Sequence, residues 1–453
     1  MREDNSVIPR ESGGGTRGET RRSACLVVVG GGLGGATVIR NLPSPLRRPG
    51  ATLLIDRNDS YTFAPLLHEV AVGRIHPDSV VSDVSALCRS RCDYLRCEVT
   101  DLSPETKTLA TTSGPVRYEH LVLATGSRAA RPPADLVPHL QTFHTLDDAL
   151  RLRSDLNDAW WAALEAGRRG DPIPGALTVV IVGGGATGVE LSAEVAVLFD
   201  YLRQRSRREP AVSPRIVLIE ATDRLMGWLD PYFHDVAVRR LSHLGVEVRL
   251  GTPVEEATPD SVRVGEEYLP AATKLWTAGV EAVSPAADHG IESDASGRLR
   301  VGEYLTLPGH PEIYMLGDAG LYKDPGLGSL PPTGSLAVQQ GAWVARDLDR
   351  RLRGGKRRPP FRFSDRGYAV SLGPESAVAE VLGRKLEGPA AQALYRSVLL
   401  YFLKSRRDRV LTGADWAMER TIGRLGFERP AGQRSRLVPA PGADPRSPSP
   451  RQR

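Results

Sequence analysis

Six glycines and two carboxylates carry the clearest chemistry in this chain. In CLVVVGGGLGGATVIRNL an apolar, β-rich run leads into Gly30, Gly32 and Gly35, spaced G-x-G-x-x-G, and then into a helical pattern. Glycines so spaced permit a tight turn and let the backbone approach a pyrophosphate at a helix N-terminus. The next apolar run, ATLLIDR, ends in Asp56, where a carboxylate can accept hydrogen bonds from an adenosine ribose. The pattern returns in LTVVIVGGGATGVELSAEV with Gly183, Gly185 and Gly188, and RIVLIEATDRL ends in Glu220 after an inserted charged segment, DYLRQRSRREP. The glycine spacing alone is a weak signal, whereas strand, turn, helix and acid together are specific. Two complete sets imply two dinucleotides. Glu220 suits a ribose 2′-hydroxyl and repels a 2′-phosphate, which favours NADH over NADPH at the second site, while Arg224 close by in sequence pulls the other way.

Such turns are held by open parallel sheets with helices on both faces, so the expected fold is α/β with two Rossmann-like dinucleotide-binding domains. Two further strand ends close the first site. YEHLVLATGS finishes at Ala124, Thr125 and Gly126, and PEIYMLGDAG at Gly317 and Asp318. Small residues after a strand let a ligand lie against the backbone, and an acid there can hold a flavin ribityl hydroxyl. The order of segments describes one domain interrupted by another: a first part over 23–136, an inserted domain over 137–274, a return over 275–350, and a C-terminal domain over 351–428. The Gly- and Arg-rich start (1–22) and the Pro- and Arg-rich tail (429–453) have the composition of disordered segments.

At 453 residues with a formal charge of +5, the composition is that of an ordinary globular protein, and much of the positive excess sits in Arg-rich ends. No stretch approaches the roughly 20 apolar residues of a membrane span, and the first residues lack a signal-peptide apolar core, so the body is expected in the cytoplasm. The tail has no aromatic platform or binding fold, and no nucleic-acid partner is expected. Cys25, Cys88, Cys92 and Cys97 do not make a disulfide framework. Cys92 and Cys97 are spaced C-x4-C, but they lie far beyond the helix on which a flavin-facing dithiol sits. No metal site is expected.

The stretch LPPTGSLAVQQG reads as a helix start, with Thr333 and Ser335 after the prolines and Gln339 and Gln340 a turn later. Beyond the linker RRLRGGKRRPP and a hairpin pattern lie two helical segments. Leu394, Val398 and Phe402 share a face that runs into Lys404, Arg406, Arg407 and Arg409, and Leu411, Ala414, Met418, Ile422 and Leu425 form a stripe at helical spacing. Such a stripe is either a packing face or, with its basic flank, the apolar face of an interfacial helix. A second copy of the chain, giving a homodimer, is the other partner it would suit.

From about Leu26 to Phe427 the chain resembles the two-dinucleotide-binding flavoprotein oxidoreductases, and within them the type II NADH dehydrogenases, single-subunit NADH:quinone oxidoreductases. The two fingerprints, IDRNDSYTFAPLLHEVAVGRI, LPPTGSLAVQQG, SVLLYFLKSRRDRV and DWAMERTIGRLG carry the resemblance. It implies FAD against Gly30, Gly32, Gly35, Asp56, Val99, Ala124, Thr125, Gly126 and Asp318, with Ala64 and Pro65 near the flavin ring. It implies NADH against Gly183, Gly185, Gly188, Glu220 and Gly279, with Glu190 near the nicotinamide coupling the two half-reactions. His68 is a packed residue or a further catalytic one. The family's Ala-Gln-x-Ala-x-Gln reads here Gly334, Ser335, Leu336, Ala337, Val338, Gln339, so Ser335 stands for the first glutamine, and Ser335 and Gln339 are the candidates at the quinone site. Gln340 reads as an ordinary polar helix position. The implied activity is non-pumping electron transport from NADH through FAD to menaquinone or ubiquinone, by a peripheral protein on the inner face of the cell membrane. Two alternatives stay open: a flavoprotein reductase with a carrier protein, small molecule or oxygen as acceptor, which Ser335 favours, and a slow FAD/NADH-binding redox sensor.

Overall fold

The computed structural model describes residues 22–206, 212–287, 289–355, 358–403, 405–422 and 427, with backbone alone for 419–422. Residues 1–21 and 428–453 lie outside this set, and with them all but Arg22 of the segments 1–22 and 429–453 expected to be disordered, as do Lys404 and Leu425. Tertiary contacts divide the chain into two units. One runs to Asp59 and takes in Val84–Gly126 and Val283–Arg362, and the other comprises Ser60–Asp83, Ser127–Ala282 and the chain from Phe363.

In the first unit five parallel strands lie in the order His310–Met315, Val116–Leu123, Arg22–Val29, Thr52–Asp56, Asp93–Arg96. The central run Leu26–Val28 is fully buried, as its unbroken apolar sequence requires of a strand covered on both faces. Register aligns the functional ends: Val29 pairs with both Ile55 and Leu123, and Leu123 with Met315. Gly30, Asp56, Ala124 and Gly317 therefore follow at one edge of the sheet, the carboxyl edge where open α/β sheets bind ligands.

Two helices cover this edge, Leu33–Arg40 and Gly334–Leu352. The second begins where the sequence predicts, with Thr333 Oγ1 accepting from the Leu336 N–H at 3.2 Å. It is tied to the sheet by Tyr314, whose hydroxyl donates to Asp347 Oδ2 at 2.7 Å and accepts from Arg351 at 2.8 Å. The two helices pack almost backbone to backbone. A Cβ at Gly341 would lie 2.6 Å from the Gly34 carbonyl oxygen and 3.1 Å from Thr37 Cβ.

The second unit has its own parallel sheet, Gln141–Thr142, Thr273–Trp276, Thr178–Val182, Arg215–Ile219, Val246–Arg249. Helices Leu146–Arg169, Ala186–Arg205 and Pro231–His243 belong to this unit, and Trp160 stacks on Phe199 between the first two with ring centres 6.0 Å apart. The segment 60–83 is an excursion closed by pairing Ser60–Thr62 with Val81–Asp83, and it carries the short helix Leu67–Ala71. The C-terminal hairpin has a third strand, Tyr368–Ser371, Ala377–Val381 and Arg384–Glu387, followed by helices Gly388–Phe402 and Arg406–Ile422. Among the described residues no helix is long and apolar enough to cross a membrane.

Replacing Gly341 by Ala should lower stability by about 1–3 kcal/mol through overpacking. Gly413, inside the last helix with nothing within 4 Å of its Cβ position, should instead gain about 0.5–1 kcal/mol on the same change. Denaturant unfolding of the two variants separates them, and equal effects would show that the helix crossing is not as close as described.

Candidate functional site

Each glycine turn is built by the same device. Gly30 and Gly183 have φ of +98° and +116°, and a Cβ at either would meet backbone, 2.2 Å from the Ala124 oxygen and 2.7 Å from the Ala278 nitrogen. Gly35 and Gly188 let the helix pass over the turn, since a Cβ there would lie 1.9 Å from the carbonyl oxygen of Gly30 or Gly183. No other residue fits these four positions without moving the strand end.

The acids are clamped onto the turns. The Gly31 N–H donates to Asp56 Oδ2 at 2.7 Å and the Asn58 N–H to Oδ1 at 2.8 Å. In the second unit Gly184 donates to Glu220 Oε2 at 2.6 Å, and the Thr222 N–H and hydroxyl donate to Oε1 at 2.8 and 2.9 Å. A carboxylate has about four lone-pair sites, so each acid keeps acceptor capacity for a ribose diol. Gly32 and Gly185 are the N-caps of the following helices, neither cap makes a side-chain hydrogen bond, and neither first turn holds an acid. The helix Leu146–Arg169 by contrast has a full Thr145 capping box. Helix N-termini with free N–H groups behind a glycine cradle fit a pyrophosphate.

Around the first turn, Thr125 donates its hydroxyl to the Val283 carbonyl, Gly126 has φ +70°, and Val99 opens the strand Val99–Ser103. Asp318 lies half-buried in the turn Gly317–Ala319. Gln340, expected from sequence to be an ordinary polar position, is fully buried, and its Oε1 accepts from the Gly317 N–H at 2.7 Å. Its Nε2 has no hydrogen-bond partner among the described residues, which leaves a buried donor beside Asp318's turn for a ligand to satisfy. Ser335 and Gln339 face each other one helical turn apart, Gln339 Nε2 donating to Ser335 Oγ at 3.2 Å. Ala64 and Pro65 are exposed on a turn of the 60–83 excursion, and Gly279 has φ +88° beside Ala130 in the second unit.

The second unit also contains a buried polar cluster centred on Glu190. Its Oε1 accepts from the Ser371 N–H at 3.1 Å and the Tyr395 hydroxyl at 3.0 Å, and His68 Nδ1 lies 3.6 Å from Oε2. Beneath them Arg74 lies between two fully buried carboxylates, ion-paired to Glu194 and 3.7 Å from Glu69. Trp416 Nε1 donates to Glu69 Oε2 at 2.7 Å. Burial pushes the Glu190 carboxyl from an ordinary 4.5 up to about 8, against its two hydrogen bonds and with help from the Glu69 and Glu194 charges. Burial likewise pushes His68 down to about 4. Burial would raise Glu69 too, but Arg74 and its other partners outweigh this and hold it below the usual carboxylate range. Near neutral pH the charges are thus confined to Glu69, Arg74 and Glu194, while Glu190 holds a proton and His68 lacks one.

Residues 25–341 match the pyridine nucleotide-disulphide oxidoreductase family. The chain belongs to that family. Among similar members, the type II NADH:quinone oxidoreductase Ndh of Mycobacterium tuberculosis is 27% identical over 87% of this chain and 87% of its own. The demethylphylloquinone reductase NdbB of Synechocystis is 28% identical over 88% and 96%. NDH2 of Plasmodium falciparum, solved in complex with NADH, shares the fold with a TM-score of 0.77 at 18% identity, over 90% of this chain and all of that one.

What the sequence of this oxidoreductase does not disclose is the set of residues around Glu190. Arg74, Ser371, Tyr395 and Trp416 reach it or its neighbours from distant segments. The one local signal is Glu190 and Glu194 four apart in the otherwise mostly apolar VELSAEVAVLF, since such acids are seldom buried unless paired.

Between pH 4.5 and 8 the native state keeps a proton on Glu190 that the unfolded chain releases. This contribution to stability is complete below 4.5 and is lost as pH rises through 8. Glu190→Gln cannot ionise and should flatten the fall by up to about 1.4 kcal/mol per pH unit, read from denaturant unfolding across that window. An unaltered pH slope would mean that the carboxyl is already ionised at the acid end.

Proposed function

We propose that this chain is an FAD-dependent NADH:quinone oxidoreductase, which takes a hydride from NADH and passes two electrons to a membrane quinone. The observation that carries it is the presence, on one chain, of two glycine cradles with uncapped helix N-termini and clamped acids, in a protein similar to type II NADH:quinone oxidoreductases along nearly its whole length. The net reaction, NADH + H⁺ + quinone → NAD⁺ + quinol, needs no nucleophile and no metal, only two ordered rings and a source of one proton.

FAD would be held by Gly30, Gly32, Gly35, Asp56, Val99, Ala124, Thr125, Gly126 and Asp318. NADH is held by Gly183, Gly185, Gly188, Glu220 and Gly279. When bound, the flavin supplies the two-electron relay between donor and acceptor. Glu190, protonated near neutral pH with Tyr395 bonded to its Oε1, keeps a proton in a buried place and serves the coupling of the half-reactions. Ser335 and Gln339 present a hydroxyl and an amide to the acceptor. Ser335 also supports a second reading, in which the same donor chemistry serves a non-quinone acceptor, because a serine reaches less far than the family's glutamine.

Peripheral attachment to the inner face of the cell membrane completes the proposal. The last helix docks by polar residues: Ser82 donates to Asp408, Ser79 to Asp415 at 2.6 Å, and Thr412 to the Ser79 carbonyl at 3.3 Å. It leaves Val410 70% exposed, one turn from exposed Arg406 and Arg407, and exposes Met418 further along, and the preceding helix exposes Val398 and Tyr401. A helix that turns Asp408 and Asp415 onto the protein and exposes Val410 near arginines suits an anionic lipid surface.

Rapid mixing tests the activity. Anaerobic NADH should bleach the flavin and a menaquinone or ubiquinone analogue should then reoxidise it within the turnover time, whereas bleaching without quinone-dependent reoxidation would assign the acceptor elsewhere.

For attachment, the triple variant Arg406→Gln/Val410→Ser/Met418→Ser should lose more than about tenfold in partition to phosphatidylglycerol vesicles. Undiminished binding would overturn the lipid assignment, and conversion of a wild-type dimer to a monomer would give this face to a second copy instead.

A further inference from the structure

Between Glu220 and the helix Pro231–His243 the second unit makes a loop that fixes an open indole beside its glycine cradle. Trp228 is 49% exposed, the only tryptophan so exposed among the described residues. The loop around it is fastened repeatedly. The Leu225 N–H donates to His234 Nδ1 at 3.0 Å, and the Met226 N–H donates at 2.8 Å to the carbonyl of Gly184, the middle glycine of the cradle. The Leu229 N–H then donates back to the Met226 carbonyl at 2.8 Å, closing a tight turn in which Met226 takes φ +50°. Asp230 Oδ1 ends the loop by accepting from the Tyr232 N–H at 2.9 Å and from Lys385 at 2.7 Å. The indole itself meets Tyr368 edge to face, with ring centres 4.7 Å apart, and Tyr368 opens the strand that finishes at Ser371, the backbone donor to Glu190. About half of a large aromatic side chain is thus held open at a defined place, although tryptophans are highly buried on average.

We propose that Trp228 is the platform on which the adenine of NADH stacks. The inference rests on the reading of this unit as the one that takes NADH. Glu220 is the acid placed for the adenosine 2′-hydroxyl, and the base is attached to the neighbouring carbon of the same ribose. It must therefore lie against the chain that surrounds Glu220. Gly184 donates its N–H to Glu220 and accepts from Met226, and Trp228 follows two residues later, a span of at most about 7 Å. Leu225 and Met226 are buried and Leu229 is half-buried, so Trp228 is the side chain with a π-face that the loop offers to a ligand. An aromatic face contributes affinity for a base without reading its edges, and the contact with Tyr368 holds the ring so that little side-chain freedom is lost when the base arrives. The platform grips the end of NADH remote from the hydride. It lowers the concentration of donor required and leaves the hydride step itself unaltered.

The test uses the full-length FAD-loaded protein and two fragments of the donor. Isothermal titration with ADP-ribose, which has the adenosine and pyrophosphate but no nicotinamide, reads the platform without turnover. Trp228→Ala should weaken ADP-ribose about tenfold or more, and Trp228→Phe should keep most of the affinity where Trp228→Leu does not. Anaerobic rapid mixing supplies the second reading. In Trp228→Ala the NADH concentration that gives half the limiting rate of flavin bleaching should rise by the same factor, with the limiting rate unchanged. Reduced nicotinamide mononucleotide, which has no adenine, should bleach the variant and the wild type alike. Unchanged ADP-ribose affinity in Trp228→Ala would overturn the proposal, and so would equal losses for NADH and the mononucleotide, which mark a loop that has merely collapsed. A wild-type flavin that NADH fails to bleach would instead count against the donor reading, and the ADP-ribose titration would still decide the part played by Trp228.

Discussion

A guanidinium locked between two carboxylates in the interior of the second unit is the constraint on which its chemistry rests. Arg74, Glu69 and Glu194 are all but inaccessible to water, and a buried charge is tolerable only when paired and hydrogen-bonded. The pairing fixes two anions and one cation in place, and a third anion beside them is disfavoured by both burial and repulsion. Glu190 is therefore neutral near physiological pH, first because it is itself buried and then because of the Glu69 and Glu194 charges. His68, on the other side, is neutral because burial, with help from the Arg74 charge, outweighs the attraction of Glu69. The unit thus keeps a proton at a carboxyl group while holding the charges of the cluster on residues closed off from solvent.

The two cradles show the opposite strategy, in which backbone does the work and side chains only finish it. Both acids are fastened by the N–H of the middle glycine and by the N–H two residues further on, so strand register alone places the ribose-facing carboxylate. The second cradle adds one feature, the Thr222 hydroxyl, which reaches both Glu220 and the Arg224 carbonyl. That shared proton joins the acid that favours a 2′-hydroxyl to the stretch of chain bearing the arginine that would favour a 2′-phosphate.

Legibility in the sequence followed the range of the interactions. Strand, glycine turn, helix and acid are neighbours along the chain, and all four elements of both sets stand where the pattern puts them. Thr333 marks the helix start for the same local reason. Gln340 escapes such reading because its partner, Gly317, is 23 residues away on another element. Tyr395 and Trp416 lie 205 and 347 residues from the carboxylates they bond. The last helix is only half legible, for a different reason. Periodicity finds the apolar stripe of Leu411, Ala414 and Met418 but leaves open which way it faces, and the residues that make the seat are Asp408, Thr412, Asp415 and Trp416. Apolar patterning identifies an amphipathic helix but not which face the protein keeps.

That seat ties together two stretches that are far apart in the gene. The 60–83 excursion supplies Ser79, Ser82 and the His76 N–H to the last helix, and it also carries His68, Glu69 and Arg74. A change in the terminal helix is consequently felt by the segment that sets the protonation of Glu190. The two stretches must drift as a pair over evolutionary time, and a chimera that exchanges the C-terminal block between relatives without the excursion would inherit mismatched halves of one polar lock.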